Sequence, residues 1–359
     1  MDDFLSAIGN APPGERLAAA FLIQASGSTP QKPGAAVLVN AAGRLAGTVG
    51  GGILEAEAIR RAQEALETGQ ALAFSMTLDE TPDADDALLC GGTVELMVVP
   101  LTDAHLAVLR GAAAALNDGR ASALILVVDG PGDTRGALVL CDTERDRLTG
   151  QVTALPPDWQ TPTREAHQRA PRRTQTIALA SGGRVAVVPV TPRTPLLIVG
   201  AGHIGRALAR AAARLDFDTT ILDDRAEFAT RTRFPDARTL LVGDLGESIA
   251  GLAPRPDRFI VLTTRSHAHD LAALRAALAV PHAYLGLLGS RRKFETLSAS
   301  LRKQGVAAEA LARVQTPVGL SIGAVTPDEI AVSIAAQLVQ ARNLPRDAET
   351  RAERAEAHR

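Results

Sequence analysis

The stretch that most restricts the fold is PLLIVGAGHIGRALARAAARLDFDTTILDDR, from Pro195 to Arg225. The apolar run LLIV leads directly into Gly200, Gly202 and Gly205 in the spacing G-x-G-x-x-G, and a helical pattern begins at once. A second apolar run closes on Asp223 and Asp224, about twenty residues further on. Glycines at this spacing permit a tight turn and the close approach of a ligand, and the following helix offers unpaired N–H groups to a phosphate. This acidic pair would hold a ribose hydroxyl pair. Strand, turn, helix and acid stand in the order a βαβ unit needs, so this half of the chain reads as a Rossmann-type domain with a nucleotide as its expected ligand. The competing reading is that the glycines only pack helix against strand, because a fold alone does not establish a ligand.

The rest of this half supports a parallel sheet. TLLVGD, RFIVLTTRS and AYLGLLGS are buried-strand runs alternating with helical segments, which implies right-handed crossovers and helices on both faces. Several polar clusters follow these strands. His267, His269 and Asp270 come first; His-x-His lacks a third soft ligand nearby, and Asp270 is read as a helix cap. Ser290, Arg291, Arg292 and Lys293 form an N-cap with cations, either an anion grip or a solvated helix start. Thr326, Pro327 and Glu329 make a capping box, with Gly319 and Gly323 suggesting a loop that faces a ligand. His203, inside the fingerprint, would sit over the phosphates.

The first half has a different texture. GERLAAAFLIQASGSTPQKPGAAVLVNAAGRLAGTVGGG reads as a short helix and then strands parted by turns, and ILEAEAIRRAQEALETG as a helix ended by Gly69. ALAFSMTL and TVELMVVP are strands flanking an acidic loop, DETPDADDA, followed by a helix over AHLAVLRGAAAALNDG and a strand over SALILVVD. Gly150 to Arg173, rich in Pro, Thr and Arg, reads as an irregular excursion before the strand GRVAVVPV, and no long internal repeat is evident. The expected organisation is a mixed α/β N-terminal domain over 1–193, the Rossmann-type domain over 194–345 and a tail over 346–359. At 359 residues the chain can bury a core in each domain.

Composition removes several functions. Lys+Arg 38 against Asp+Glu 40 provides no basic field for nucleic acid, and 3% aromatics provide no base-stacking platform. The acidic start MDDFLSAIGN does not resemble a secretory signal, and no apolar run reaches membrane-spanning length, so a cytoplasmic protein is expected. Cys90 and Cys141 are too few for a disulfide framework or a tetrahedral metal site. Cys141 ends the apolar run GALVLC and reads as a small buried residue.

The N-terminal half holds two glycine-rich stretches of similar wording. TVGGGILEAEAIR carries Gly51, Gly52 and Glu55, and LLCGGTVELMVVP carries Cys90, Gly91, Gly92 and Glu95. Glycines after strands let backbone N–H groups approach an oxyanion with no Cβ in the way. The plainer reading is that both are tight turns, with the glutamates as caps or surface charges.

These stretches, with GSTPQKPGAAVLV, IVGAGHIG, YLGLLGSRRK and TPVGLSIGAVTPDEIAVSI, resemble the XdhC/CoxI family of xanthine dehydrogenase accessory factors. The resemblance covers nearly the whole chain in the same order, leaving the Gly150–Arg173 region unmatched. It implies a protein that binds molybdenum cofactor, supports its sulfuration and delivers it, with xanthine dehydrogenase and a cysteine desulfurase as partners, no nucleic acid or membrane, and a homodimer among the assemblies open to it. It also implies that Glu55 and Glu95 accept from the molybdopterin ring and that Cys90 meets the molybdenum as a soft thiolate. Ile53 stands where the commoner family form has cysteine, Ser321 where aspartate is frequent, and Gln315-Thr316 replaces a His-Ala pair. The alternative function is an NAD(P)-dependent oxidoreductase acting on a small substrate between the domains, with His203, His267 or His269 moving the proton. It lacks a Tyr-x-x-x-Lys pair, and the single tyrosine is Tyr284.

Overall fold

The computed structural model describes residues 1–78, 91–130, 132, 134–142 and 147–343. The acidic stretch after β4, Cys90 and the 346–359 tail lie outside the described residues. The chain divides into two compact units, Met1–Pro192 and Arg193–Arg359. Among the described residues no helix is long and apolar enough to cross a membrane.

The first unit is one motif used twice. Its elements are α1 (Asp2–Asn10), β1 (Leu17–Ser26), β2 (Ala36–Asn40), β3 (Gly43–Gly47), α2 (Gly52–Thr68), β4 (Leu72–Thr77) and β5 (Thr93–Leu101), and then α3 (Asp103–Asn117), β6 (Ser122–Asp129), β7 (Leu138–Asp142), β8 (Arg147–Gly150), α4 (Gln160–Arg169), β9 (Gln175–Ala178) and β10 (Arg184–Val190). Each set of strands forms an antiparallel sheet with the same permuted order, β3-β2-β1-β5-β4 and β8-β7-β6-β10-β9. Backbone details repeat as well. Leu22 N donates to Ala35 O and Leu22 O accepts from Gly34 N, and Val127 does the same with Ala137 and Gly136. The expectation of no internal repeat holds for the wording but not for the fold, because the copies share backbone demands and not side chains. Gly91-Gly92 before β5 therefore corresponds to Gly182-Gly183 before β10, not to the glycines that open α2.

Burial explains the layers. The central strand β1 is buried on both faces from Leu17 to Ile23. One face joins an inner core with β6, β10, α1 and α3, where Phe4 and Phe21 meet edge-on at 5.5 Å. The outer face of the first sheet packs on Leu54, Ala58, Ala62, Ala65 and Leu66 of α2, and α2 stops at Gly69 in the left-handed region. The outer face of the second sheet is covered by the Gly150–Arg173 segment, with Trp159 buried. That segment thus contains a packed helix, α4, within an otherwise irregular stretch. The short helix expected at the start of GERLAAAF lies earlier, as α1, where Phe4, Leu5 and Ile8 recur at helical spacing.

The second unit contains β11 (Thr194–Val199), α5 (His203–Ala213), β12 (Phe217–Asp223), β13 (Thr239–Val242), α6 (Leu245–Ala250), β14 (Phe259–Leu262), α7 (His267–Ala279), β15 (Tyr284–Leu287), α8 (Arg291–Lys303), α9 (Ala308–Ala312) and α10 (Pro327–Asn343). Its sheet is wholly parallel in the order β13-β12-β11-β14-β15, with one apolar cluster on each face. The order reverses beside β11, so the loops after β11 and β14 diverge and leave a crevice at their carboxyl ends.

Candidate functional site

In the first unit the loop 27–34 joins the two glycine turns. A Cβ on Gly50 would stand 2.7 Å from Pro30 Cγ, and one on Gly92 would run into Ser28 O. Ser28 and Gly91 also form an isolated parallel bridge. GSTPQKPG, GGGILE and the Gly91-Gly92 pair are therefore neighbours. Gly51 and Gly52 both have positive φ, and a Cβ on Gly51 would meet nothing within 4 Å.

The glutamates serve the chain itself. Glu55 Oε2 accepts from Thr48 Oγ1, from Val49 N at 3.3 Å and from Gly51 N at 3.3 Å, and Oε1 accepts from Arg44 at 3.2 Å. The carboxylate of α2's own first turn thus occupies the anion position that the glycine turn creates. Glu95 is gripped by Arg184 through bonds of 3.0 and 2.8 Å, and Arg184 also donates to Asp129 at 2.8 Å. Glu95 and Asp129 together raise the Arg184 pKa further, with Glu95 the larger cause. Both glutamates, expected as pterin acceptors, already have partners in the chain: one closes a turn and the other ties the two sheets. Cys141, in β7, is half-buried beside the outer core of the second sheet.

The crevice of the second unit is lined by Gly200, Gly202, Asp223, Asp224, Arg225, Leu245, Thr263, Thr264, Arg265 and His269, with a volume of about 30 Å³. Its glycines have separate duties. A Cβ on Gly205 would strike Gly200 O, and one on Gly200, whose φ is 109°, would come within 2.5 Å of Thr263 O. A Cβ on Gly202 would meet nothing within 4 Å, so this position alone is kept bare toward open space. Asp223 is only 2% exposed. It accepts from Ala201 N at 2.7 Å and from Arg225 N, Nε and Nη2, which fixes the glycine turn from below. Its expected role as a free ribose acceptor is therefore modified, since its oxygens already have partners. Arg225 is itself pinned 3.5 Å over the Phe228 ring.

Asp224 is the acid that faces the opening. Arg265 clasps it with two bonds of 2.8 Å, and His269 Nε2 lies 3.2 Å from Oδ2. The Arg265 fork, with His269 behind it, pulls the Asp224 carboxyl down to about 2 despite opposing desolvation. Sequence reading missed Arg265; its only signal was its place just after the buried run FIVL.

The remaining polar residues mostly hold the loops. Ser266, not Asp270, caps α7 by accepting from His269 N. Asp270 is fully buried, accepts from Thr264 Oγ1 at 2.6 Å and pairs with Lys293 Nζ. Ser290 caps α8 by accepting from Lys293 N at 3.2 Å. Ser290 and Arg291 do not line the crevice, and neither does His203, exposed at the start of α5. Of the residues of the expected anion grip, Ser290 is a cap and Lys293 pairs with the buried Asp270, while Arg291 and Arg292 are exposed. Thr326 and Glu329 form the expected capping box. Gly319 N and Tyr284 Oη both donate to Gln337 Oε1, and burial pushes the Tyr284 hydroxyl well above its ordinary pKa. Among the described residues no group of three His, Cys, Asp or Glu side chains is placed to hold a metal.

A family profile described as the XdhC Rossmann domain matches residues 196–338, and one described as the XdhC and CoxI family matches residues 11–76. The Escherichia coli (strain K12) protein called Uncharacterized protein YqeB is 41% identical over 160 residues, 44% of this chain but 29% of that protein. A Bacillus subtilis (strain 168) protein, described as a probable xanthine dehydrogenase subunit, is 24% identical over 330 residues, 91% of this chain and 94% of that protein. The crystal structure of a xanthine dehydrogenase from Bacillus halodurans shares the fold, with a TM-score of 0.73 at 23% identity over 95% of this chain and 96% of that one.

Proposed function

The chain belongs to the XdhC and CoxI family, and from that premise we propose that it is a xanthine dehydrogenase accessory protein that holds molybdenum cofactor, supports its sulfuration and passes it to the apoenzyme. One observation carries the reading: the crevice over the glycine turn, where Gly202 alone leaves open space at the N-terminus of α5. Such an end attracts a phosphate, and molybdopterin carries one. The bound group would supply the molybdenum and dithiolene that the recipient uses for its redox chemistry. This chain's residues would do the holding. Gly202 admits the phosphate, Asp223 and its partner Arg225 fix the turn, and Arg265 would bring positive charge to the ligand. Cys90 is proposed as the thiol that meets the molybdenum. The name borne by the Bacillus subtilis relative supports a xanthine dehydrogenase as recipient. Sulfuration requires a sulfur donor, which a cysteine desulfurase would provide.

The test is transfer. Protein purified from cells that make the cofactor is added to apo-dehydrogenase with a sulfide donor, and activity is followed. The expected result is activation without consumption of NAD(P)H, and a weaker result with Cys90→Ser. Loaded protein that leaves the apoenzyme inactive overturns the reading. A pterin-free preparation that turns over a small substrate with NAD(P)H replaces it with the oxidoreductase.

A further inference from the structure

The crevice holds its own counter-ions. Asp223, Asp224, Arg225 and Arg265 all line it, and their formal charges cancel. Among the arginines that line the crevice, an incoming phosphate therefore finds none spare unless one of these pairs opens. The two pairs are not equally able to do so. Arg225 is stacked on Phe228 at 3.5 Å, and its partner Asp223 is buried and also holds Ala201 N in the glycine turn. Opening that pair would strand a buried carboxylate. The Arg265 and Asp224 side chains are 43% and 29% exposed. Opening this more exposed pair returns both charges to water, so it exchanges more readily than the buried one.

Topology places the exchangeable pair across the opening. Asp224 follows β12 and Arg265 follows β14, and these strands flank β11, whose end begins the glycine turn. The Arg265 fork thus bridges the loops on either side of the position a phosphate would take, and the remaining volume of about 30 Å³ holds roughly one water. His269 supports the bridge at 3.2 Å from Asp224 and 3.3 Å from Arg265.

We propose that the Arg265–Asp224 pair is a latch that a nucleotide opens by exchange: Arg265 moves its fork from Asp224 to the ligand's phosphate, and the released Asp224 carboxylate accepts from the free 2′,3′-diol of the ribose. One rearrangement creates both halves of the site. Guanidinium forks fit phosphate as well as they fit carboxylate. A carboxylate left at the end of β12 suits a diol and repels a 2′-phosphate. The ligand class is a nucleoside phosphate with an unmodified ribose, free or as the nucleotide part of a larger cofactor. The inference rests on reading the crevice as a phosphate site.

The test titrates the full chain by calorimetry with inorganic pyrophosphate, ADP-ribose and 2′-phospho-ADP-ribose, using wild type, Arg265→Ala and Asp224→Asn, each checked for folding by circular dichroism. Wild type is expected to bind ADP-ribose about tenfold or more tightly than its 2′-phosphate. Arg265→Ala should weaken pyrophosphate and ADP-ribose by about tenfold or more. Asp224→Asn should tighten pyrophosphate, having lost the competitor for Arg265, and weaken ADP-ribose relative to it. Arg265→Lys should restore only part of the affinity, because charge returns without the fork. Wild type that binds none of the probes, Arg265→Ala that binds pyrophosphate unchanged, or Asp224→Asn that weakens pyrophosphate overturns the latch. No pterin or dehydrogenase enters the titration, so variants that overturn the latch while wild type still binds pyrophosphate leave the accessory role standing, and failure of apoenzyme activation leaves the latch standing.

Discussion

At the scale of single residues, neighbours decide what an acid or a glycine does. Asp223 and Asp224 are adjacent, yet one is a buried brace and the other faces the crevice in the grip of Arg265. Asp224 titrates at about 2 in the folded chain, below its ordinary 3.8. Its ion pair therefore contributes fully above the unfolded value, and the contribution is lost as pH falls through about 2. In Arg265→Ala the carboxyl should return toward the ordinary range, read by carbon-13 carboxyl shifts between about pH 2 and 5. The glycines yield a matched contrast. Gly202→Val places its side chain in open space, so thermal unfolding should stay near wild type while bound phosphate ligand is lost. Gly205→Val drives a side chain into Gly200 O and should destabilise by about 3 kcal/mol or more, read by denaturant unfolding.

At the scale of elements, the helix starts at the carboxyl end of the parallel sheet are tied to one another. Lys293 in the first turn of α8 reaches the buried Asp270 of α7, and Thr264 after β14 completes the contact. Removing the cation leaves an unpaired carboxylate in the interior. Lys293→Met should cost about 3 kcal/mol, and the double variant Asp270→Asn, Lys293→Met should recover much of it, measured by urea unfolding of both. These helices were legible in sequence from their caps and periodicity, Ser290 before RRKF and Thr326 before PDEI among them. The ion pair was not, because Asp270 and Lys293 lie on different helices and nothing local announces that their loops converge. A cap for α7 was expected, but Ser266 supplies it; both residue types cap well, and only the fold shows which one is buried elsewhere.

At the scale of the whole molecule, the duplicated first unit has a mechanical consequence. Its two sheets share one inner core, in which Phe21 of the first copy packs with α1, α3, β6 and β10. Phe21→Ala should destabilise by about 3–5 kcal/mol and should speed amide exchange in β6 and β10 as well as in β1, because the copies share that core. Faster exchange confined to the first sheet would show the copies to be independent. The sequence by itself determined what local chemistry dictates: apolar runs became strands, G-x-G-x-x-G between strand and helix became the turn at the sheet's carboxyl end, and periodic stripes became helices. Those signals lie within one element or between neighbours, so they survive reading along the chain. The tertiary structure alone decided which charges meet. Glu55 fills its own glycine turn, Glu95 crosses to Arg184 in the other sheet, and Arg265 reaches over the end of β11 to Asp224. A charged side chain looks the same in sequence whether it faces water, a ligand or a partner many residues away. Its role is set by burial and distance, which exist only once the strands are ordered.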